Sequence, residues 1–130
     1  MSFQPKEPAT EAGKVARQQY LEIVRGVLGE LTLDYPTIYE QFIQNDWAAI
    51  KLDDSVALAA LKAGKSAKQV FTLLLQSPYV QHQAHEKQVT KAVMGRYVDS
   101  TVRQALTQLR GRQVISKTAQ IQQIDSKMER

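Results

Sequence analysis

His82, His85 and Glu86 stand in the run HQAHE, at i, i+3 and i+4. On a helix this spacing puts two imidazoles and a carboxylate on one face, where they would in principle hold a divalent metal. A closed site needs a fourth ligand, and none follows at ligand spacing. A surface helix accounts for the trio better, so no metal is expected. Asp53 and Asp54 are adjacent carboxylates that would suit acid–base work as a pair. Just ahead of an apolar helical run, they read instead as the cap of a helix over Ser55 to Ala63. The chain has no glycine-rich phosphate loop, no nucleophile elbow and no Ser/His/Asp set. It has no cysteine, so disulfides, thiolate zinc sites and a catalytic thiol are all excluded. The expectation is a protein that is not an enzyme and carries no cofactor.

Binding chemistry is better represented. The formal net charge is +4, unevenly spread. Residues 1–86 hold 8 basic and 10 acidic side chains, for −2, whereas residues 87–130 hold 9 basic and 3 acidic, for +6. Such polarity favours an acidic partner, nucleic acid foremost. Arg96, Arg103 and Arg110 recur every seventh residue. A helix lines them up as a stripe with a rise of about 10.5 Å between neighbours, opposite Val98, Val102, Ala105 and Leu109. A stripe of that kind suits a phosphate backbone or an acidic protein surface.

The run DDSVALAALKAGKSAKQVFTLLLQSP, residues 53–78, reads as two short helices meeting at Gly64. Ala60, Gly64 and Val70 supply a small residue, a turn glycine and a branched apolar residue at offsets of zero, four and ten. Over about twenty residues this resembles the helix-turn-helix of DNA-binding proteins. The resemblance implies that Ser66, at the cap of the second helix, meets a phosphate, and that Lys68, Gln69 and Thr72 contact bases or phosphates. Against it stands the apolar run VFTLLL. With Phe71, Leu74 and Leu75 turned inward, Leu73 is expected near the outer side, where a groove-reading helix needs polar residues. A second resemblance joins ALAALKAGKSAKQVFTLLLQSP to RYVDSTVRQAL further on. Together these look like helical accessory segments of bacterial plasmid-mobilisation proteins, the relaxases, over roughly 55 residues. The catalytic His-x-His pair of those enzymes is missing, so this resemblance implies an auxiliary domain.

The elements that must position these groups are helical almost throughout. Alternating β-branched runs are absent, and only four prolines and six glycines punctuate the chain. Residues 1–9, with Pro5 and Pro8, are expected to form a disordered leader. Thr10 caps a first helix that runs to about Leu31. Asp34 and Pro36 start a second, with Ile38, Tyr39, Phe42 and Ile43 on its apolar face. NDWAAIKLDD is expected to be a short helix or turn whose Trp47 anchors the core. Ser66 caps a helix over Ala67 to Gln76, and Ser77-Pro78 opens another. A long basic helix continues to about Leu109, kinked or doubly buried at Gly95 and stopped by Gly111. In the tail, residues 112–130, Val114, Ile121, Ile124 and Met128 fall at roughly helical spacing and suit a partner-binding helix.

Hydrophobic residues make up 43% and charged residues 23% of 130, which suits one domain with a modest core. No apolar run reaches the roughly 20 residues that span a bilayer. The start of the chain has no apolar signal core, so a cytoplasmic location is expected. The reading is an all-α single domain of five or six helices, with residues 10–111 as its body. Its expected role is nucleic-acid association through the basic C-terminal helix and the hairpin. The alternative is a protein-interaction module that self-associates through its tail.

Overall fold

The computed structural model describes the backbone of residues 5–128 and the side chains of residues 5–111. It contains six helices: α1 (Glu11–Leu28), α2 (Tyr35–Phe42), α3 (Asp46–Lys62), α4 (Ala67–Leu74), α5 (Pro78–His85) and α6 (Lys91–Met128). Among the described residues there is no strand, and no helix is long and apolar enough to cross a membrane. The protein is an all-α domain.

Local chemistry starts each of the first five helices. The side chains of Thr10, Asp34, Asn45, Ser66 and Ser77 accept the backbone N–H of Gly13, Thr37, Ala48, Gln69 and Val80 in turn. Each bond satisfies one of the donors that a helix start leaves free. Pro36 and Pro78 occupy first turns, where their missing N–H costs nothing. At the other end of α1, Gly29 takes φ +72° and closes the helix before the expected Leu31.

Gly64 ends α3 in the left-handed region, at φ +94°. Lys65 N–H donates to the Ala60 carbonyl and Gly64 N–H to that of Leu61, which are the two bonds of a Schellman motif. A Cβ built there meets no atom within 4 Å, so the cost of a side chain is conformational and not steric. Gly64→Val should therefore lower stability by about 1–3 kcal/mol, the usual cost of a strained backbone position. Urea denaturation reads it, and an unchanged midpoint would contradict the turn geometry.

Helix α3 contacts every other helix. Its inward stripe is Ala49, Leu52, Asp53, Val56, Ala57 and Ala60, all buried. Around it pack Tyr20 and Val24 of α1, Ile38 and Tyr39 of α2, Val70, Leu73 and Leu74 of α4, and Val80 of α5. Met94, Val98, Val102 and Ala105 of α6 complete the core.

Several expectations are corrected. Neither Asp53 nor Asp54 caps a helix. Asn45 does, and NDWAAIKLDD forms the first half of a continuous α3. Trp47 does not anchor the core: it is 69% exposed, off the inward stripe, with Lys51 Nζ 5.7 Å from its ring centroid. Leu73 is fully buried, because α4 lies between α1, α3 and α6 and presents a wider apolar face than one seam would need. The long basic helix is interrupted after His85, where Gln88 adopts φ +55° and the chain restarts at Lys91. Gly95 marks no second buried face, since Ala92 and Val93 are exposed while Met94 and Val98 point inward. Gly111 does not stop α6. A glycine inside a helix costs only about 1 kcal/mol, and a glycine stops one by taking a positive φ, which Gly111 does not adopt. Of the leader, residues 5–9 are irregular chain, and Pro5, Glu7 and Pro8 flank Lys14 and Arg17 of α1.

Candidate nucleic-acid interface

Arg96, Arg103 and Arg110 are all exposed, and Val98, Val102 and Ala105 are buried on the other side of α6. The face follows from the 3.6-residue period once the apolar side is seated on α3. The stripe is not uniformly cationic. Arg103 Nε lies 2.9 Å from Asp99 Oδ2, one turn earlier. Both side chains are well exposed, so the pair is weak and holds Arg103 in place only loosely. Acid four residues before base is a helix pairing legible in the sequence, although the expected stripe left Asp99 out. Arg96, Asp99, Ser100, Arg103, Gln104 and Thr107 border one shallow surface, and no residue of α4 lines it.

On α4, Ser66, Lys68, Gln69 and Thr72 are all exposed. With Leu73 inward, this helix does have a polar outer face. Three of the four, Ser66, Gln69 and Thr72, are committed locally, however. Gln69 closes a capping box, its Oε1 accepting from Ser66 N–H at 2.8 Å while its own N–H donates to Ser66 Oγ. Thr72 Oγ1 donates to the Lys68 carbonyl at 3.0 Å. The ammonium of Lys68 is the cationic group those four bring to the face. Val114, Ile121, Ile124 and Met128 belong to α6 beyond residue 111, outside the residues whose side chains are described.

His82 packs edge-on against the Tyr39 ring, 6.2 Å between centroids. His85 Nε2 lies 3.1 Å from Gln81 Oε1. Burial, then the positive fields of Lys6 and Arg17, hold its imidazole below the usual value. Among the described residues no group of three His, Asp or Glu is placed to hold a metal.

The most perturbed carboxylate lies elsewhere. Asp53 is 1% exposed at the middle of α3. Its Oδ2 accepts from Tyr97 Oη of α6 at 2.6 Å and from Ser77 Oγ at 3.2 Å. Among the described residues its Oδ1 has no partner, nor has the buried Tyr20 hydroxyl. Burial pushes the carboxyl up to about 7, the Tyr97 and Ser77 hydrogen bonds opposing that rise. Tyr97 is raised in turn by burial and by Asp53, and its ring packs 4.8 Å from that of Tyr79. Sequence reading missed this centre, although Asp53 falls on the period Ala49, Leu52, Val56, Ala57, Ala60 and so had a signal.

The group sits on the seam between α3 and α6, and Asp53, Ser77 and Tyr97 line none of the three hollows bordered by Arg96, by Lys14 and by Phe71. No family model, curated protein or solved structure matches the chain.

Proposed function

We propose that this chain is a small non-catalytic nucleic-acid-associated protein that holds a phosphate backbone on the outer face of α6. The observation that carries the reading is the exposure of Arg96, Arg103 and Arg110 on one side of a helix whose other side is buried. Their guanidinium forks match phosphate oxygens, and their rise follows a strand without reading bases. The division of charge, −2 before residue 87 and +6 after it, puts the basic excess in the part of the chain that carries the three arginines, which favours a polyanion there. Lys68 and the cap of Ser66 offer a second, smaller contact.

Three phosphate contacts should give a slope of log affinity on log salt of about −2 to −3 with duplex DNA. Replacing Arg96, Arg103 and Arg110 by alanine together should flatten that slope and weaken binding to all sequences alike, leaving the fold intact. Fluorescence anisotropy at two salt concentrations measures it. Absence of binding to duplex or single-stranded nucleic acid at about 50 mM salt, where screening is weak, removes the reading.

One observation favours the alternative, a protein-interaction module. Trp47 is a large exposed aromatic, the residue type most enriched at interface hot spots. Binding through Trp47 would be nearly insensitive to salt and would be lost in Trp47→Ala, which the arginine reading does not expect.

A further inference from the structure

Arg17 is a buried cation with only neutral partners. It lies on α1 and is 8% exposed. Its Nε donates to Gln76 Oε1 at 3.1 Å, and its Nη1 donates to the Lys6 carbonyl at 2.7 Å. Its guanidinium carbon sits 4.1 Å from the centroid of the Tyr35 ring. Its Nη2 is buried and has no acceptor among the described residues. The ion pairs among those residues are Lys14–Glu11 and Arg103–Asp99, so no carboxylate there answers this charge. Buried cations are ordinarily paired, because the desolvation they suffer is offset only by an opposite charge with good hydrogen bonds.

Beside the guanidinium is a hollow of about 270 Å³, lined among others by Lys14, Gln18, Tyr35, Pro5 and Glu7. Lys14 is drawn away to Glu11, at 3.2 Å. The Lys6 carbonyl takes up Nη1 and leaves Nη2 without an acceptor among the described residues. A planar carboxylate or a phosphate meets both with two parallel N–H bonds, which is the geometry arginine recognises best. The Tyr35 ring holds the plane of the fork, so little side-chain freedom is lost on binding.

We propose that Arg17 anchors a binding site for a small oxyanion, carboxylate or phosphate, which takes the Nη1–Nη2 edge and displaces the Lys6 carbonyl. Residues 5–8 then act as a strap that closes the site when it is empty. The site is independent of the nucleic-acid reading, since the contacts of Arg17 run to residues 6, 35 and 76 and none to α6.

The test is arginine-selective NMR of the full chain, titrated with inorganic phosphate or acetate against sodium chloride of equal ionic strength. One guanidinium signal, assigned by its loss in Arg17→Lys, should shift saturably, and the amides of residues 6 to 7 should move with it. Arg17→Lys keeps the charge but not the fork, and should weaken binding about tenfold, as the loss of one charge-assisted hydrogen bond would. A saturable shift with phosphate, acetate or both supports the site, and the anion that acts names its ligand class. No saturable shift at Arg17 overturns it, as do shifts confined to the exposed arginines, which would mean an adventitious ion only. Should Arg17→Lys fail to fold, the Tyr35 ring protons of the wild-type protein, packed on the guanidinium, report the same binding: a saturable shift there supports the site and its absence overturns it.

Discussion

Raising the pH from about 4 to about 8 should remove on the order of 4 kcal/mol of stability through Asp53 alone, and Asp53→Asn should abolish that contribution. The carboxyl of Asp53 has a folded value of about 7 against an ordinary 3.8. Below about pH 4 it is protonated in both folded and unfolded chains and contributes no difference. Between about 4 and 7 the unfolded chain gives up the proton while the folded chain keeps it, so stability falls by about 1.4 kcal/mol per pH unit. Above about 7 both states are ionised and the full cost of the buried charge is present. The groups that face it are Ser77 and the hydroxyls of Tyr20, Tyr35, Tyr79 and Tyr97, with Asp54 as a second carboxylate, and none of these is a cation that would offset the charge.

Asparagine keeps the shape and keeps an oxygen for Tyr97 and Ser77. Its amide takes the place of the Oδ1 that now has no partner among the described residues. Urea midpoints at pH 5 and pH 8 for both proteins decide the matter. Equal pH slopes in wild type and variant would mean that Asp53 is not buried as described. Asp34 acts in the opposite sense and elsewhere. Its hydrogen bonds from Thr37 lower its carboxyl, so its contribution is lost only as the pH falls below about 4. The tyrosines Tyr20, Tyr35 and Tyr97 are raised by burial, so both proteins should lose further stability above about pH 10.

Leu73→Ala should destabilise the domain by about 2–5 kcal/mol, the range for emptying a fully buried leucine site. Leu73 has no exposed surface and sits in the core with Val70 and Leu74. Lys68→Ala, on the outer face of the same helix, should change stability by less than about 0.5 kcal/mol. The contrast makes the test sharp, since both changes are made on one helix of eight residues. Thermal and urea denaturation of the two variants measure it. A Leu73→Ala protein within about 0.5 kcal/mol of wild type would show that Leu73 faces solvent. The large cost, if found, also locates the polar face of α4, because inward packing of Leu73 is what frees Ser66, Lys68, Gln69 and Thr72 to lie outside.

Helix starts were legible wherever the signal was local. Thr10, Asp34, Ser66 and Ser77 act on a backbone N–H three residues ahead, and Gly64 acts through its own φ. Such interactions span a single turn, so residue type and order suffice to place them. The arginine face of α6 was legible for the same reason: a helical period with Val98, Val102 and Ala105 on one side leaves positions 96, 103 and 110 on the other. All-α architecture follows from that periodicity repeated along the chain.

Which side chains go inside is another kind of fact. Asp53 and Asp54 are neighbours of one type, yet only Asp53 lies on the stripe that five other helices enclose. Its burial is tolerable because Ser77, 24 residues away, and Tyr97, 44 residues away, donate to it. Arg17 likewise depends on Gln76, 59 residues away. Trp47 is left outside and Leu73 taken inside by the way α3 and α4 are surrounded, against what their neighbours in the chain suggest. Burial is settled by the pairing of distant faces, and that pairing is a property of the assembled fold, whereas a cap, a turn and a helical period are properties of a few consecutive residues.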